Sequence, residues 1–113
     1  TVLEKEDTIA IYGSNEFAAK AIINANGGFK ESKLGADKIL AVGFDSGALQ
    51  QDAIRKGIFV GSVTQDPVQI GYQAVKLAIA AAKGETVKDV DTGSKWYDAK
   101  NIDSEEIKAL LYE

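Results

Sequence analysis

The chain switches between two rhythms of apolar and polar positions, and the switches mark its elements. Residues 8–12, Thr-Ile-Ala-Ile-Tyr, form a short apolar run that stops at Gly13-Ser14-Asn15, as a buried strand followed by a turn would. From Glu16 to Asn26 the spacing is helical, with Phe17 and Ala21 a turn apart and Ile22 beside them, and Gly27-Gly28 closes the helix. Residues 39–44 read as a second strand with almost no polar alternation, the pattern of a sheet covered on both faces. A helix from about Gly47 to Lys56 presents Leu49, Ala53 and Ile54, and Gly57 stands where a left-handed cap is wanted.

Residues 58–64, Ile-Phe-Val-Gly-Ser-Val-Thr, predict a third strand. Gln65-Asp66-Pro67 then supplies a cap residue and a proline at the first helical position. The helix predicted over 67–83 carries Ile70, Ala74, Leu77, Ala78 and Ala81 as one stripe, and Gly84 ends it. An extended piece, Val90-Asp91-Thr92-Gly93-Ser94-Lys95-Trp96-Tyr97, leads to Asp103-Ser104-Glu105-Glu106, a capping-box-like start for a short helix with Ile107, Leu110 and Leu111. Strand, helix, strand, helix, strand, helix is the order that builds a parallel sheet through right-handed crossovers. The expected class is α/β, an open parallel sheet with helices on both faces.

In such a sheet every parallel strand points its C-terminal end to the same edge, where ligands bind. The strands here end beside Asn15, Asp45 and Gln65, an amide, a carboxylate and an amide. Together they offer donors and acceptors to a ligand made of hydroxyl groups, and the carboxylate accepts charge-assisted hydrogen bonds. Asn15 and Asp45 are equally good helix caps, and Glu16 complements a helix N-terminus whatever the function. Gln65 is a poor cap next to Asp66, which leaves it free for the edge. Phe17, Phe44, Trp96 and Tyr97 are candidates for stacking on a ligand face, with Phe44 better read as core.

Length and composition narrow the chemistry. The 113 residues make one domain's worth of chain, 45% of it hydrophobic and 27% charged. The net charge of -4 and dispersed basic residues argue against a nucleic-acid surface. The absence of Cys and His removes disulfides, thiol nucleophiles, Ser-His triads and the commonest zinc ligands. No segment matches the glycine fingerprints for nucleotide phosphates, and no acidic pair stands out for glycoside chemistry. No cofactor is called for, and an enzyme is not expected. No apolar run approaches a membrane span, and no signal peptide is visible. The start at Thr1 rather than Met reads as a processed product or a piece of something longer, which leaves an exported origin open.

The stretches IYGSNEFAAKAI, AVGFDSGALQQDAIRKGIFVGSVTQDPVQIGYQAVKLAIAAAKGE and DTGSKWYDAKNID together cover nearly the whole chain. In combination they resemble the last third of type I periplasmic sugar-binding proteins, the ribose-binding-like solute receptors of ABC transporters. In that family two flavodoxin-like lobes joined by a hinge close on one sugar. The resemblance implies that Asn15, Asp45 and Gln65 bind the hydroxyls of a monosaccharide, with Glu16 and Phe17 as further possible contacts. It divides the chain into 1–66 in the C-terminal sugar-binding lobe, 67–84 as a helix of the other lobe, and 85–113 as hinge return strand and tail. Its implied partners are the rest of the receptor chain and an ABC permease, with no nucleic acid. The location would be the periplasm, or the outer surface as a lipoprotein. An isolated fragment, with helix 67–83 unpartnered, would seek a homodimer by exchange. The alternatives are the effector core of a LacI-type repressor and a self-folding half-domain that binds nothing.

Overall fold

The computed structural model describes residues 2–112. After a 3-10 turn at Val2–Glu4, the elements run β1 (Ala10–Tyr12), α1 (Glu16–Ala25), β2 (Leu40–Phe44), α2 (Ala48–Arg55), β3 (Gly61–Gln65), α3 (Pro67–Ala82), β4 (Ser94–Tyr97) and α4 (Glu105–Lys108). The sheet order is β1-β2-β3-β4. The first three strands are parallel and β4 adds antiparallel to β3, with Ser62 opposite Tyr97 and Gln65 opposite Ser94. The expected α/β open sheet is present, with one antiparallel edge strand. An antiparallel last strand needs no crossover helix, so the extended run after α3 returns along β3 directly.

The third strand begins at Gly61 rather than at residue 58. Gly57 takes a left-handed φ of 69° at the end of α2. The amides of Ile58 and Phe59 then fold back onto the carbonyl of Ala53. Ile58 and Phe59 are core residues all the same, buried in this loop beneath the sheet.

One face of the sheet carries Ile11, Ala41, Gly43, Ser62, Thr64 and Tyr97, which the strand register places side by side. Here α1 contributes Ala19, Ile22 and Ile23, α2 contributes Ala53 and Ile54, and the tail contributes Ile102 and Ile107. Phe17 and Ala21, expected on the inner side of α1, are exposed; the buried stripe is displaced from them onto Ala19, Ile22 and Ile23. The exit from β1 explains the fit. A Cβ on Gly13 would stand 2.7 Å from the backbone nitrogen of Ala19, so only glycine lets α1 approach this closely.

The opposite face carries Tyr12, Leu40, Val42, Phe44, Val63 and Trp96, none of them buried. Phe44 is therefore half-buried on the bare face rather than part of the core. Because α1 and α2 pack against each other and the first face, neither covers the second. Likewise, α3 has no buried residue. The Cα radius of gyration of 17.1 Å exceeds the roughly 13 Å of a compact domain of this length, as a helix standing away from the body requires.

Candidate functional site

The edge where β1, β2 and β3 end gathers the residues singled out from the sequence. Asn15 caps α1, its Oδ1 accepting from the amide of Ala18 at 2.8 Å, so the cap reading is correct for it. The residue is exposed, and among the described residues no hydrogen bond engages its NH2 group. Asp45 does not cap its own helix: Gly47 is the N-cap of α2, without a side-chain bond. The Asp45 carboxylate instead reaches across to α1, where Oδ2 accepts from the amide of Glu16 at 3.0 Å. That bond brings the Asp45 carboxylate next to Asn15. The other oxygen, Oδ1, has no protein hydrogen bond among the described residues.

Asp45 also has a left-handed φ of 75°. Its amide still closes the ladder onto Val63 at 2.7 Å, while its carbonyl is turned under the covered face. There it accepts from Tyr97 Oη at 2.8 Å, Ser62 Oγ at 2.9 Å and Gln50 Nε2 at 3.3 Å. Gln50, Ser62 and Tyr97 are all fully buried. Burial pushes the Tyr97 hydroxyl up to about 12 and keeps it a donor across the ordinary pH range. With no exposed surface, Tyr97 is excluded from stacking on any ligand.

Glu16 is drawn away from the edge. Its carboxylate pairs with Lys20, accepts from Tyr112 Oη at 3.2 Å, and fills the space where a Cβ on Gly47 would go. The Lys20 ammonium hydrogen-bonded to it holds the Glu16 carboxyl below its ordinary range, against a weaker push from burial. Phe17 stands 82% exposed on the first turn of α1. Gln65 is the last residue of β3 and exposed, with no side-chain hydrogen bond among the described residues. It lines a cavity of about 250 Å³ with Asp66, Thr92, Gly93, Ser94 and Leu110. Asp66 is the cap of α3, accepting from the amide of Gln69 at 2.9 Å, which leaves Gln65 free of that duty.

Gln50 and Ser62 went unnoticed in the sequence and Tyr97 was read only as a stacking candidate, yet all three donate to the Asp45 carbonyl. The available signal was a glutamine and a serine at inward-facing positions of otherwise apolar elements. A larger hollow of about 450 Å³, lined by Phe29, Leu34, Lys38, Lys56 and Ile58 among others, opens at the opposite edge of the sheet. There the Lys56 ammonium lies 3.9 Å from the centre of the Phe29 ring. No group of three or more acidic residues able to hold a metal is found among the described residues, and no described helix is long and apolar enough to cross a membrane.

The family model of the periplasmic binding protein domain matches residues 1–86. The chain belongs to that family. It is 48% identical, over 98% of its length, to a solved Brachyspira murdochii protein described as an ABC transporter, LacI family transcriptional regulator, with a TM-score of 0.84. It is 31% identical over 92% of its length to a carbohydrate transporter solute-binding protein from Agrobacterium radiobacter in complex with D-arabinose, at a TM-score of 0.75. An ABC transporter solute-binding protein from Agrobacterium vitis with bound D-fucose is 30% identical over 91% of the chain, at a TM-score of 0.72. The chain spans 37%, 34% and 34% of these three proteins, about a third of each. No curated protein matches it. The family and the two sugar-bound relatives are binding proteins, not enzymes.

Proposed function

We propose that this chain is the part of a sugar receptor that presents Asn15, Asp45 and Gln65 to the hydroxyls of one monosaccharide, for import by an ABC transporter. The observation that carries this reading is the Asp45 carboxylate. It sits at the ligand-binding edge of a parallel sheet, held by the Glu16 amide through one oxygen and open on the other, and it is not needed as the cap of its own helix. An ionised acceptor so placed suits two neighbouring hydroxyls. The sugars bound to the Agrobacterium relatives support the ligand class. Family membership supports a periplasmic or cell-surface location.

The rest of the receptor chain would cover what is bare here, the sheet face of Tyr12, Leu40 and Trp96 and the exposed side of α3. In this division residues 1–66 belong to the sugar-binding lobe, α3 to the second lobe, and the remainder to the hinge return and tail. Separated from that remainder, the chain would bury α3 by exchange in a homodimer. A second reading, the effector core of a transcriptional repressor, draws on the description of the Brachyspira relative. A DNA-binding segment encoded upstream would favour it, and an export signal would exclude it.

The test is Asp45→Gly in the complete receptor, titrated calorimetrically with D-arabinose, D-fucose, D-galactose, D-glucose and D-ribose. Glycine adopts the left-handed backbone freely, so the change removes the carboxylate without adding strain. Affinity for the preferred sugar should fall by roughly 2 kcal/mol, about thirtyfold, while stability moves by less than about 1 kcal/mol. A loss of affinity below about threefold would retire Asp45 as a sugar ligand.

A further inference from the structure

The carbonyl of Asp45 is the most heavily engaged acceptor at the edge, and its three donors come from three elements: Gln50 of α2, Ser62 of β3 and Tyr97 of β4. A left-handed φ on a residue other than glycine is strained by about 1–3 kcal/mol and persists only where the surroundings impose it. Tyr97 and Ser62 hold the carbonyl most closely, at 2.8 and 2.9 Å, while Gln50 Nε2 is shared with the carbonyl of Phe44 at 2.7 Å. With the amide of Asp45 fixed on Val63 and its carbonyl drawn beneath the covered face, the Cα is rotated so that the carboxylate leaves the strand and meets the amide of Glu16. A Cβ on Gly43 would come within 2.9 Å of Gln50 Nε2 and 3.0 Å of Ser62 Oγ, so glycine at this position leaves these two donors the space they occupy.

We propose that Tyr97, with Ser62 and Gln50, is a positioning residue of the site: its hydroxyl locks the left-handed turn at Asp45 and thereby aims the Asp45 carboxylate at the ligand edge. The ligand role of Asp45 is taken from the function proposed above; the lock itself is independent of it. Tyr97 touches no ligand. It acts across 52 residues of sequence and ties the docking of the edge strand β4 to the aim of the acid.

The experiment is a double-mutant cycle on the complete receptor, combining Tyr97→Phe with Asp45→Gly, titrated with the same five sugars and followed by amide hydrogen exchange. Tyr97→Phe should weaken binding between about threefold and tenfold, the span of one neutral hydrogen bond, and should have no effect once Asp45 is glycine. Independently of any sugar, the amide of Glu16 should exchange at least about fivefold faster in Tyr97→Phe, while the amides of Ile23 and Ile54 keep their protection. Unchanged exchange at Glu16 overturns the proposal, as does an equal acceleration at all three amides, which marks a merely structural tyrosine. So does an affinity loss of the same size in both Asp45 backgrounds. If Asp45→Gly itself leaves affinity intact, or no sugar binds, the functional reading fails and the Glu16 amide alone decides the lock. Should Tyr97→Phe fail to fold, Ser62→Ala removes a second donor to the same carbonyl and is read in the same way.

Discussion

Two helices leave the same edge of the sheet and meet opposite fates. After β2, α2 turns back onto the core, buries Gln50, Ala53 and Ile54, and closes with a left-handed glycine. After β3, α3 starts with an equally good signal, Asp66 and Pro67, yet buries nothing along 16 residues. Local capping thus determines where a helix begins, not whether the fold has a surface for it. The same contrast separates the two strand exits. Asp45 is held through backbone and side chain by neighbours on both sides, whereas Gln65 stands exposed beside a small cavity. The Asp45 half of the edge is preorganised by hydrogen bonds within this chain, and the Gln65 side chain has none among the described residues.

Substitutions on the two helices should separate them most widely. Ile54→Ala in α2 removes a fully buried side chain and should cost about 2–5 kcal/mol in urea unfolding of this chain. Ile79→Ala in α3, where the side chain is 52% exposed, should stay within about 0.5 kcal/mol. Similar losses at both would mean that α3 has found a partner surface, as in an exchanged dimer.

Alkaline titration sharpens the contrast at the anchored exit. Below pH 10 Tyr97 is protonated in both states; between the ordinary value of 10.0 and its folded value of about 12 only the unfolded chain ionises. The unfolded state then binds fewer protons, so stability falls as pH rises through that window, by up to about 3 kcal/mol. Tyr97→Phe should remove this part of the decline. An identical alkaline profile in both proteins would show that the hydroxyl is not buried.

A smaller effect is expected at Asn15. Asn15→Ala should cost about 1 kcal/mol of stability through the lost cap, and Asn15→Ser should restore most of it. In the complete receptor serine should not restore sugar affinity, because it lacks the amide NH2 that Asn15 leaves uncommitted. Full recovery of binding with serine would reduce Asn15 to a cap.

The alternation of strands and helices was legible in the sequence because parallel strands and their crossovers are local, apolar runs with glycine and proline at their ends. The caps at Asn15, Asp66 and Ser104 were legible for the same reason, and each accepts the expected amide. What escaped were features set by distant partners. Phe17 and Ala21 match helical spacing but lie off the buried stripe, because the close approach of Ala19 to Gly13 sets the rotation of α1. The left-handed turn at Asp45 depends on Tyr97, far away in sequence and on a strand whose antiparallel pairing the pattern did not predict. Residues 39–44 promised a sheet covered on both faces, but among the described residues only one face is covered, and Leu40, Val42 and Phe44 of β2 lie on the other.

In the function proposed above, the ligand meets this chain at the strand exits. The most direct measurement is a pair of amide NMR spectra of the complete receptor, with and without the sugar it binds best. Shifts should concentrate on Asn15, Glu16, Asp45, Ser46 and Gln65. Shifts concentrated instead around Phe29, Lys38 and Lys56, at the larger hollow on the opposite edge, would contradict the account.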